Sequence, residues 1–493
     1  MTKQASSFEL ALPPRDRSTS AARWLCSALR NEILEGRLRP GSRLPSSRDL
    51  ARQHGLARGT VVTAFDQLRS EGYVQGTTGS GTYVSTVLPD DLLQVRRRRV
   101  PSREAVAVPS RRRLSDVARR AALFPGFALG PTRAFRSHVP ALDLFPTTLW
   151  AQLAGRRLRR ATTSLLLGCE PMGYPPLQRA VADYVVASRG VKCVPEQIAI
   201  VSGTQEALDL AAHLFLNPGD RVCVENPGYS GARRAFRAVG ARAVSIEVDD
   251  EGATIPSALL EDVRLAYLTP GHQFPLGVCM SLSRRLAMLE WARRTGAILF
   301  EDDYDSEYRY AGKPVPALQG LDRHGLVLFA GSFSKVLFPA LRLGYLVVPL
   351  DLVDRVTALQ SIRTRHAPTL TQAILCDFLA EGHFARHVRR MREVYAERLG
   401  VLLQAARDWL EGALAITGVE AGLQTAAWLT AGHDGSDVEA RAAERDVDVT
   451  ALGRYTEGRI RRQGLHLGFA AVDVTEIRRG VRELAGVLER FST

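Results

Sequence analysis

The 493-residue sequence contains only six cysteines, and no two of them have the C-x-x-C spacing. We therefore expect neither a disulfide framework nor a structural zinc site. The chain also lacks a continuous run of about 20 apolar residues, the length that a membrane-spanning helix requires. Residues 1–10 do not combine a charged with an apolar segment, so no secretory signal is indicated. These absences predict a cytoplasmic protein without membrane contact.

Positive charge is concentrated at the start of the chain. The first 120 residues hold 22 Lys and Arg against 11 Asp and Glu, whereas the remaining residues hold 43 against 41. A chain of this length is expected to form two or three domains. The asymmetry therefore predicts a basic module that binds a polyanion, joined to a nearly neutral module.

Three segments of the basic part predict a helix-turn-helix. The first helix begins near Ser18 and ends at Gly36. A second, short helix begins at the capping-box pair formed by Ser46 and Asp49. A third helix is predicted over residues 58–70, with apolar residues at helical spacing. In a helix-turn-helix, this last helix enters the major groove of DNA.

A glycine-rich turn between two β-prone segments in residues 73–84 predicts a hairpin, which forms a wing. With its LPSxRxLA and GSGTxV motifs, residues 18–85 resemble the winged helix-turn-helix of the GntR family. The resemblance implies a DNA-binding domain over residues 16–86 that reads a double-stranded operator. The residues that it brings to phosphates or bases are Arg43, Arg48 and Arg58, with Thr60 and Gly81 nearby.

Residues 87–124 show no regular periodicity and contain two arginine runs, Arg96–Arg99 and Arg111–Arg113. This composition predicts a flexible basic linker. Such a linker would add sequence-independent, salt-sensitive affinity for DNA. A linker that only increases solubility explains the composition equally well, and both interpretations stay open.

The sequence after residue 125 alternates short apolar segments with amphipathic helices, such as residues 204–216 and 283–295. The alternation predicts an α/β fold in which helices cover both faces of one sheet. Ligands of such sheets bind at the carboxyl ends of the strands. The predicted strands are residues 198–202, 221–225, 243–248, 265–268, 297–301, 326–330 and 345–348.

Four motifs follow the ends of predicted strands. The segment Ser202–Gln205 opens a helix whose free N–H groups suit a phosphate, and Tyr229 offers an aromatic face to a flat ring. In an acidic run, Asp302 or Asp303 can keep a pyridine nitrogen protonated. Lys335, in a short Ser-rich loop, can condense with an aldehyde. Together the four motifs predict one site at one edge of the sheet.

Each motif also has a simpler interpretation when it is taken alone. A lysine after a strand is usually a solvated surface residue, and three consecutive acidic residues can be an ordinary loop or a metal site. No histidine pair accompanies the acidic run, so we expect no metal.

The order and spacing of the four motifs resemble fold-type I aminotransferases, which bind pyridoxal 5′-phosphate (PLP). Joined to the GntR module, the whole chain resembles the MocR/GabR family of transcriptional regulators, particularly in the segments EDDYDSEYRY and SFSKVLFPALRLGY. The resemblance implies an aminotransferase-like domain over residues 125–493, with a smaller C-terminal α+β subdomain over about residues 350–493. It also implies PLP as cofactor, and a homodimer with or without exchange of the DNA modules.

The resemblance assigns roles to individual residues of this chain. Lys335 would form the Schiff base with PLP, and Asp302 would bind the pyridine nitrogen. Tyr304 would bond the phenolic oxygen of PLP, and Tyr229 would stack on the ring. The phosphate would be held by Gly203, Thr204, Ser332, Ser334 and Arg342.

The chain departs from the family pattern where a substrate would bind. A late β-segment of aminotransferases usually carries an arginine for the substrate carboxylate, but here His466 occupies that place. Arg454, Arg459, Arg461 and Arg462 lie nearby in sequence and could substitute. We take Arg454 and His466 as the candidates for an effector carboxylate. The common Asn-Pro pair is replaced by Phe274–Pro275. Because these departures do not affect the residues assigned to PLP, we still expect the chain to bind PLP. They argue against efficient transamination.

Three functions are compatible with the sequence. The first is a transcriptional regulator that senses PLP, or a small amine or amino acid effector that reacts with it. The second is an active aminotransferase with an accessory DNA-binding domain. The third is a DNA-binding protein with a vestigial enzyme fold and no cofactor. The complete set of lysine, aspartate and arginine favours the first over the third.

Overall fold

The chain divides into two compact units, residues 1–112 and 113–493. The computed structural model describes residues 10, 12–15, 19–77, 81–88, 113–123, 130–255, 262–310, 316–416, 420–430 and 432–489. Ser18, the wing tip 78–80, the arginine run 96–99 and residues 111–112 of the second run lie outside the described residues.

The first unit has the predicted order of helices and hairpin. It contains the helices α1 (Ala21–Leu34), α2 (Ser47–Gln53) and α3 (Arg58–Ser70) and the antiparallel strands β1 (Val74–Thr77) and β2 (Gly81–Val84). The Ser46 hydroxyl accepts a hydrogen bond from the backbone N–H of Asp49 at 3.2 Å, as the capping box requires. Since Leu25, Leu29, Val61 and Leu68 are fully buried, the apolar faces of α1 and α3 pack into one core.

The second unit contains fourteen α-helices among its described residues. They are α4 (Asp116–Arg120), α5 (Thr147–Arg159), α6 (Thr163–Leu167), α7 (Pro175–Arg189), α8 (Thr204–Phe215), α9 (Ser230–Ala238), α10 (Leu282–Thr295), α11 (Leu318–Leu321), α12 (Phe333–Val336), α13 (Val353–Arg363), α14 (Thr369–Ala380), α15 (His383–Trp409), α16 (Gly435–Ala443) and α17 (Val474–Glu489). Short 3-10 helices span Leu142–Leu144, Pro195–Gln197, Pro339–Leu341, Leu350–Leu352 and Leu452–Tyr455.

An eight-stranded sheet forms the centre of the second unit. Its strands are β3 (Ile198–Val201), β4 (Arg221–Asn226), β5 (Arg242–Asp249), β6 (Gly252–Ala253), β7 (Val263–Leu268), β8 (Ile298–Asp303), β9 (Val327–Ser332) and β10 (Gly344–Val347). They are ordered β3-β10-β9-β8-β7-β4-β5-β6. β10 runs antiparallel to both of its neighbours, and β6 runs antiparallel to β5. All seven predicted strands belong to this sheet, which confirms the α/β class.

Helices cover both faces of the central sheet. Alternating residues of β4 point to opposite faces: Val224 joins a cluster with Phe236 of α9, whereas Cys223 joins one with Trp291 of α10. β3 and β10 are buried along their whole length. Strands buried on both faces have continuous apolar sequences, which explains why these segments were recognisable.

Two strands extend two residues further at their carboxyl ends than the sequence predicted. β8 and β9 continue to Asp303 and Ser332 because the ladder pairs Asp302 with Ala330 and Asp303 with Gly331. The backbone pairing therefore holds polar residues of low strand propensity in the strands. As a result, the polar ends of β8 and β9 lie side by side at the carboxyl edge of the sheet.

A second, antiparallel sheet follows the central one in the chain. It contains β11 (Leu414–Ile416), β12 (Gln424–Leu429), β13 (Thr450–Ala451) and β14 (Gly464–Gly468), in the order β11-β12-β14-β13. The helices α15, α16 and α17 pack with it around buried residues such as Leu402, Val438 and Leu484. No helix that the structure describes is long and apolar enough to cross a membrane.

The core of the first unit depends on Leu68, which is fully buried on α3. We expect Leu68→Ala to lower the free energy of unfolding of this unit by about 2–5 kcal/mol, because it removes buried methyl groups and leaves a cavity. Amide hydrogen exchange of residues 21–70 in the full chain measures the change. Val62→Ala on the same helix is the control, since Val62 is 40% exposed. Equal acceleration of exchange in both variants would contradict this assignment of the core.

Candidate functional site

The three arginines predicted to contact DNA are exposed on the first unit. Nε of Arg58, the first residue of α3, lies 3.4 Å from Oγ of Ser47 on α2, and Arg48 is the next residue of α2. Neither these two guanidiniums nor that of Arg43 pairs with a carboxylate among the described residues, whereas Arg69 is bound to a carboxylate of its own helix. Unpaired guanidiniums on one module are available to DNA phosphates.

Gly81 and Arg43 contact each other where β2 begins. A Cβ atom at Gly81, whose φ is +118°, would lie 2.9 Å from Nε of Arg43. Arg43 also forms an isolated backbone bridge with Tyr83. Glycine at this position therefore lets the guanidinium rest against the wing. Thr60 is half-buried in the first turn of α3.

Asp302 is buried near the end of β8, and its carboxylate accepts hydrogen bonds from two hydroxyl groups. The Tyr267 hydroxyl donates to Oδ2 at 2.8 Å, and the Thr204 hydroxyl donates to Oδ1 at 3.4 Å. Burial raises the pKa of Asp302 to about 7, although the Tyr267 hydrogen bond opposes the shift. A carboxyl group poised in this range can accept or share a proton with a ring nitrogen.

The neighbouring Asp303 has a different partner. Nε and Nη2 of Arg189, on α7, bind its two carboxylate oxygens at 2.6 and 3.2 Å, and both side chains are buried. Of the two aspartates considered from the sequence, only Asp302 therefore faces Thr204. No group of three or more His, Cys, Asp or Glu side chains in the described part of the chain is arranged to hold a metal ion.

Tyr304 belongs to a buried polar group that includes His272 and Asp305. The Tyr304 hydroxyl lies 3.1 Å from Nδ1 of His272, which also lies 3.0 Å from Oδ1 of Asp305. Gly422 leaves room for this imidazole, because a Cβ atom there would lie 2.2 Å from its Cε1. The orientation of the Tyr304 phenol is thus set by a hydrogen-bonded histidine.

Tyr229 precedes α9, and its ring lies beside two other aromatic rings. The ring centroids of Tyr229 and Tyr267 are 6.3 Å apart, and those of Tyr229 and Phe274 are 6.0 Å apart. The Tyr229 hydroxyl donates to Oε1 of Gln205 at 3.3 Å. Burial raises the pKa of Tyr229, so the phenol stays neutral.

Predicted phosphate residues lie where β3 and β9 end and β10 begins. Gly203, with φ of +112°, caps α8, and a Cβ atom there would lie 3.7 Å from Nη1 of Arg342. Arg342 itself has a left-handed backbone, with φ of +49° and ψ of +46°. Gly344 pairs with Ser332 on β9, and the buried Oγ of Ser334 has no hydrogen-bond partner among the described residues. The helix N-terminus at Gly203 and the Arg342 guanidinium lie together, and the unsatisfied Ser334 hydroxyl follows two residues after Ser332. These groups have the donors that an anion requires, and we call them the anion cradle.

Lys335 lies on the single-turn helix α12, not in the predicted loop. Neither glycine nor proline interrupts residues 333–338, and Phe333, Val336 and Leu337 are buried at helical spacing. Nζ of Lys335 donates to the backbone oxygen of His138 at 3.1 Å. The helical turn therefore points the amine inward, toward the ends of the strands.

Burial lowers the pKa of Lys335 to about 8, although the carboxylates of Asp305 and Asp302 act in the opposite direction. Arg342 adds to the lowering. An amine with this pKa is partly neutral at physiological pH, and a neutral amine is the nucleophile that attacks an aldehyde.

The two candidates for an effector carboxylate lie in different surroundings. His466, on β14, is fully buried. The Arg454 side chain is 66% exposed, and its Nε donates to Glu439 at 2.8 Å. Of the further arginines near it in sequence, Arg461 is bound to Glu247. The structure thus brings His466, and not Arg454, into the interior of the second unit.

Four residues that lie around the predicted site residues were not predicted from the sequence: Tyr267, His272, Asp305 and Arg189. Tyr267 lies on the apolar strand β7, where a buried hydroxyl needs a partner, and this requirement was the available signal. His272 and Asp305 come from two different strand ends, so their contact had no local signature.

The residues present fit PLP. The buried carboxyl of Asp302 suits the pyridine nitrogen, the anion cradle suits the phosphate, and the Lys335 amine suits the aldehyde. Tyr229 provides an aromatic face, and Tyr304 provides a hydroxyl for the phenolic oxygen.

Comparison with known proteins agrees with both halves of this description. Residues 23–84 match the family model of bacterial regulatory proteins of the gntR family, and residues 144–432 match that of aminotransferase class I and II. The probable rhizopine catabolism regulatory protein MocR of Rhizobium meliloti is 39% identical over 95% of this chain and 94% of its own length. The pyridoxine biosynthesis transcriptional regulator PdxR of Corynebacterium glutamicum is 32% identical over 97% of both chains.

A solved structure resembles the second unit. The α-aminoadipate aminotransferase LysN of Thermus thermophilus, complexed with N-(5′-phosphopyridoxyl)-L-leucine, has a TM-score of 0.66 and 30% identity over 73% of this chain and 92% of its own. The likeness extends over the enzyme but leaves out the DNA module. The chain therefore belongs to the MocR family of transcriptional regulators, in which a GntR-type helix-turn-helix domain is fused to a domain of the class I and II aminotransferases.

Proposed function

We propose that this DNA-binding regulator holds PLP covalently through Lys335 and transmits the occupancy of that site to operator DNA. The ligand it senses is PLP itself or a small amine or amino acid effector that displaces Lys335. The observation that carries the proposal is the Lys335 amine, buried and lowered in pKa to about 8, beside an anion cradle.

Each part of the second unit has a task in this proposal. PLP supplies an aldehyde for an amine and a ring that withdraws electrons when its nitrogen is protonated. Asp302 holds the proton at the ring nitrogen, and the Tyr267 and Thr204 hydroxyls keep this carboxylate oriented. Gly203, Ser334 and Arg342 bind the phosphate, assisted by Thr204 and Ser332. Tyr304, oriented by His272, donates to the phenolic oxygen.

The DNA module reads an operator through its exposed arginines. Arg48 and Arg58 lie on neighbouring helices, and neither is paired with a described carboxylate. Arg43 and Gly81 extend this surface onto the wing, and Thr60 lies in the first turn of the recognition helix. We propose a cytoplasmic homodimer, with or without exchanged DNA modules, whose two modules read two half-sites.

Coupling between the sites requires two states of the protein with different affinities for the operator. Nζ of Lys335 donates to the backbone oxygen of His138 in the chain without PLP. A covalent bond to PLP would remove this contact, and an amine that displaces Lys335 would allow it to form again. Occupancy therefore changes the contacts of the segment around His138. The differential affinity for DNA comes from this change.

Aminotransferase activity is the second candidate, because the Lys335, Asp302 and Tyr304 set is the one that transamination needs. The surroundings of the candidate arginines oppose it, since Arg454 is exposed and bound to Glu439, and the buried His466 stands where the substrate-carboxylate arginine was expected. We expect at most slow turnover with ordinary amino acids. Rapid exchange between amino donors and oxo acids would favour this second function.

The covalent link predicts a single labelled lysine. The sequence holds four lysines, Lys3, Lys192, Lys313 and Lys335. Borohydride reduction of the PLP-loaded chain should fix the pyridoxyl group on Lys335 alone, as measured by peptide mass spectrometry. Lys335→Ala should lose the label and the absorption of bound PLP, and the control Lys192→Ala, at an exposed residue, should keep both. Labelling that persists in Lys335→Ala would refute the assignment.

The low pKa of Lys335 is testable in the chain before PLP is added. With ¹³C-labelled lysine, NMR titration should find the Lys335 amine titrating at about 8, below its ordinary value of 10.5. Asp302→Asn should lower this pKa further, because the removed carboxylate raises it. The exposed Lys192 is the internal control. A Lys335 signal at the ordinary value contradicts the burial of the amine.

The DNA surface predicts a salt-dependent effect of single arginines. For a duplex that the protein selects from random sequences, Arg48→Ala and Arg58→Ala should each weaken binding and reduce the salt slope by about one. Arg69→Ala is the control, because Arg69 is paired with Asp66 at 2.9 Å. Fluorescence anisotropy at several salt concentrations measures the slopes. Equal slopes for all three variants would remove α2 and α3 from the interface.

A further inference from the structure

A cluster of rings lies beside Lys335, apart from the residues assigned to PLP phosphate and ring nitrogen. The Phe274 ring is its centre, with ring centroids 5.2 Å from His138, 5.4 Å from His466 and 4.9 Å from Tyr455. The cluster is next to the reactive amine, because Nζ of Lys335 donates to the backbone oxygen of His138. An effector that reaches Lys335 therefore has these rings as neighbours.

One polar atom of this ring cluster lacks a partner. Nε2 of His466 is buried and forms no hydrogen bond with any described residue. The other ring nitrogen, Nδ1, lies 3.5 Å from the Tyr455 hydroxyl. A buried polar atom without a partner destabilises the chain, so a ligand that forms a hydrogen bond with it gains affinity.

The ring cluster supplies no positive charge. Burial and then the charge of His272 lower the pKa of His466 to about 3, and burial is the main reason that the pKa of His138 lies well below its ordinary value. Both imidazoles are therefore neutral. Of the arginines proposed from the sequence, Arg454 is bound to Glu439, and the other three, Arg459, Arg461 and Arg462, are exposed. Arg136, near His138 in the chain, is bound to Asp448 at 2.7 Å. The cation nearest to the rings is Lys335 itself, whose amine is bonded to the backbone oxygen of His138. A carboxylate placed against Nε2 of His466 would therefore lose its hydration and find no cation among the side chains of the ring cluster.

A hydroxyl group matches what the ring cluster offers. A neutral imidazole has one nitrogen that donates and one that accepts, and a hydroxyl can pair with either. The faces of Phe274 and Tyr455 suit the carbon skeleton that carries the hydroxyl. An ionised carboxylate, in contrast, can only accept hydrogen bonds, and the side chains of the ring cluster offer it no cation.

Given the proposed function, on which this step rests, we propose that the effector is a primary amine with a hydroxyl group and no carboxylate, and that His466 binds the hydroxyl through Nε2. His466 is then the residue that determines specificity. The site selects amino alcohols over the amino acids that differ from them by a carboxylate.

Matched pairs of amines test the proposal on the full-length, PLP-loaded chain. The probes are 2-aminoethanol against glycine, and 3-aminopropan-1-ol against β-alanine. The absorption change of bound PLP gives the Kd of each amine, and anisotropy gives the operator affinity at saturation. We expect each amino alcohol to bind at least about tenfold more tightly than the matched amino acid. The reason is that the carboxylate of the amino acid would be buried without a paired cation. Equal or tighter binding of the amino acids would overturn the proposal.

Substitutions at His466 distinguish specificity from a general effect of packing. His466→Arg should reverse the preference within each pair, because it places a cation in the ring cluster. His466→Gln, which stays neutral and forms hydrogen bonds, should retain the preference for the amino alcohol. Unchanged absorption of bound PLP shows that each variant is folded. A preference that is the same in the wild type and in folded His466→Arg would also overturn the proposal.

The outcomes separate this inference from the proposed function. If PLP labels Lys335 and alters operator affinity while amino acids bind more tightly than amino alcohols, only the inference fails. It also fails alone if neither class of amine changes the spectrum. If PLP does not bind at Lys335, the proposed function fails and the inference fails with it.

Discussion

The burial of one amine is the constraint on which the second unit depends. Lys335 has lost its hydration, and its pKa is lowered to about 8 for that reason. An uncompensated cation at this depth would be costly, so the amine is held partly neutral between the carboxylates of Asp302 and Asp305 and the guanidinium of Arg342. The reactivity of the amine toward an aldehyde follows from this balance of charge and desolvation.

The antiparallel strand β10 positions Arg342, one of the charged groups that act on the Lys335 amine. It enters between β3 and β9, and the turn before it carries Arg342 in a left-handed conformation. The turn brings the guanidinium to Gly203 at the start of α8. Gly344 permits the close approach of β10, because a Cβ atom there would lie 2.7 Å from the backbone oxygen of Gly331. The anion cradle is thus a consequence of strand order.

The sequence was sufficient for features that have a local signal. The helices of the first unit were recognisable from apolar spacing and the Ser46 cap, and the strands of the central sheet from continuous apolar runs. Lys335 and Asp302 could be proposed as site residues because they follow such runs. The one-turn helix around Lys335 was missed, since its short apolar spacing is also compatible with a loop.

Contacts between distant strands could not be predicted in the same way. Tyr267 meets Asp302 only because β7 and β8 are neighbours in the sheet, and Arg189 reaches Asp303 from α7. The surroundings of His466 likewise depend on His138, Phe274 and Tyr455, which come from three separate segments. The sequence showed that an arginine was missing there, but not that neutral rings surround the histidine.

We propose that the two modules are coupled because covalent occupancy of Lys335 changes the affinity for the operator. The most direct measurement is a PLP titration that follows the absorption of bound PLP and operator binding in the same sample. The account predicts that operator affinity changes in step with the absorption, by at least about fivefold, and that Lys335→Ala shows neither change. Identical operator affinity before and after PLP has fully bound to Lys335 would contradict it.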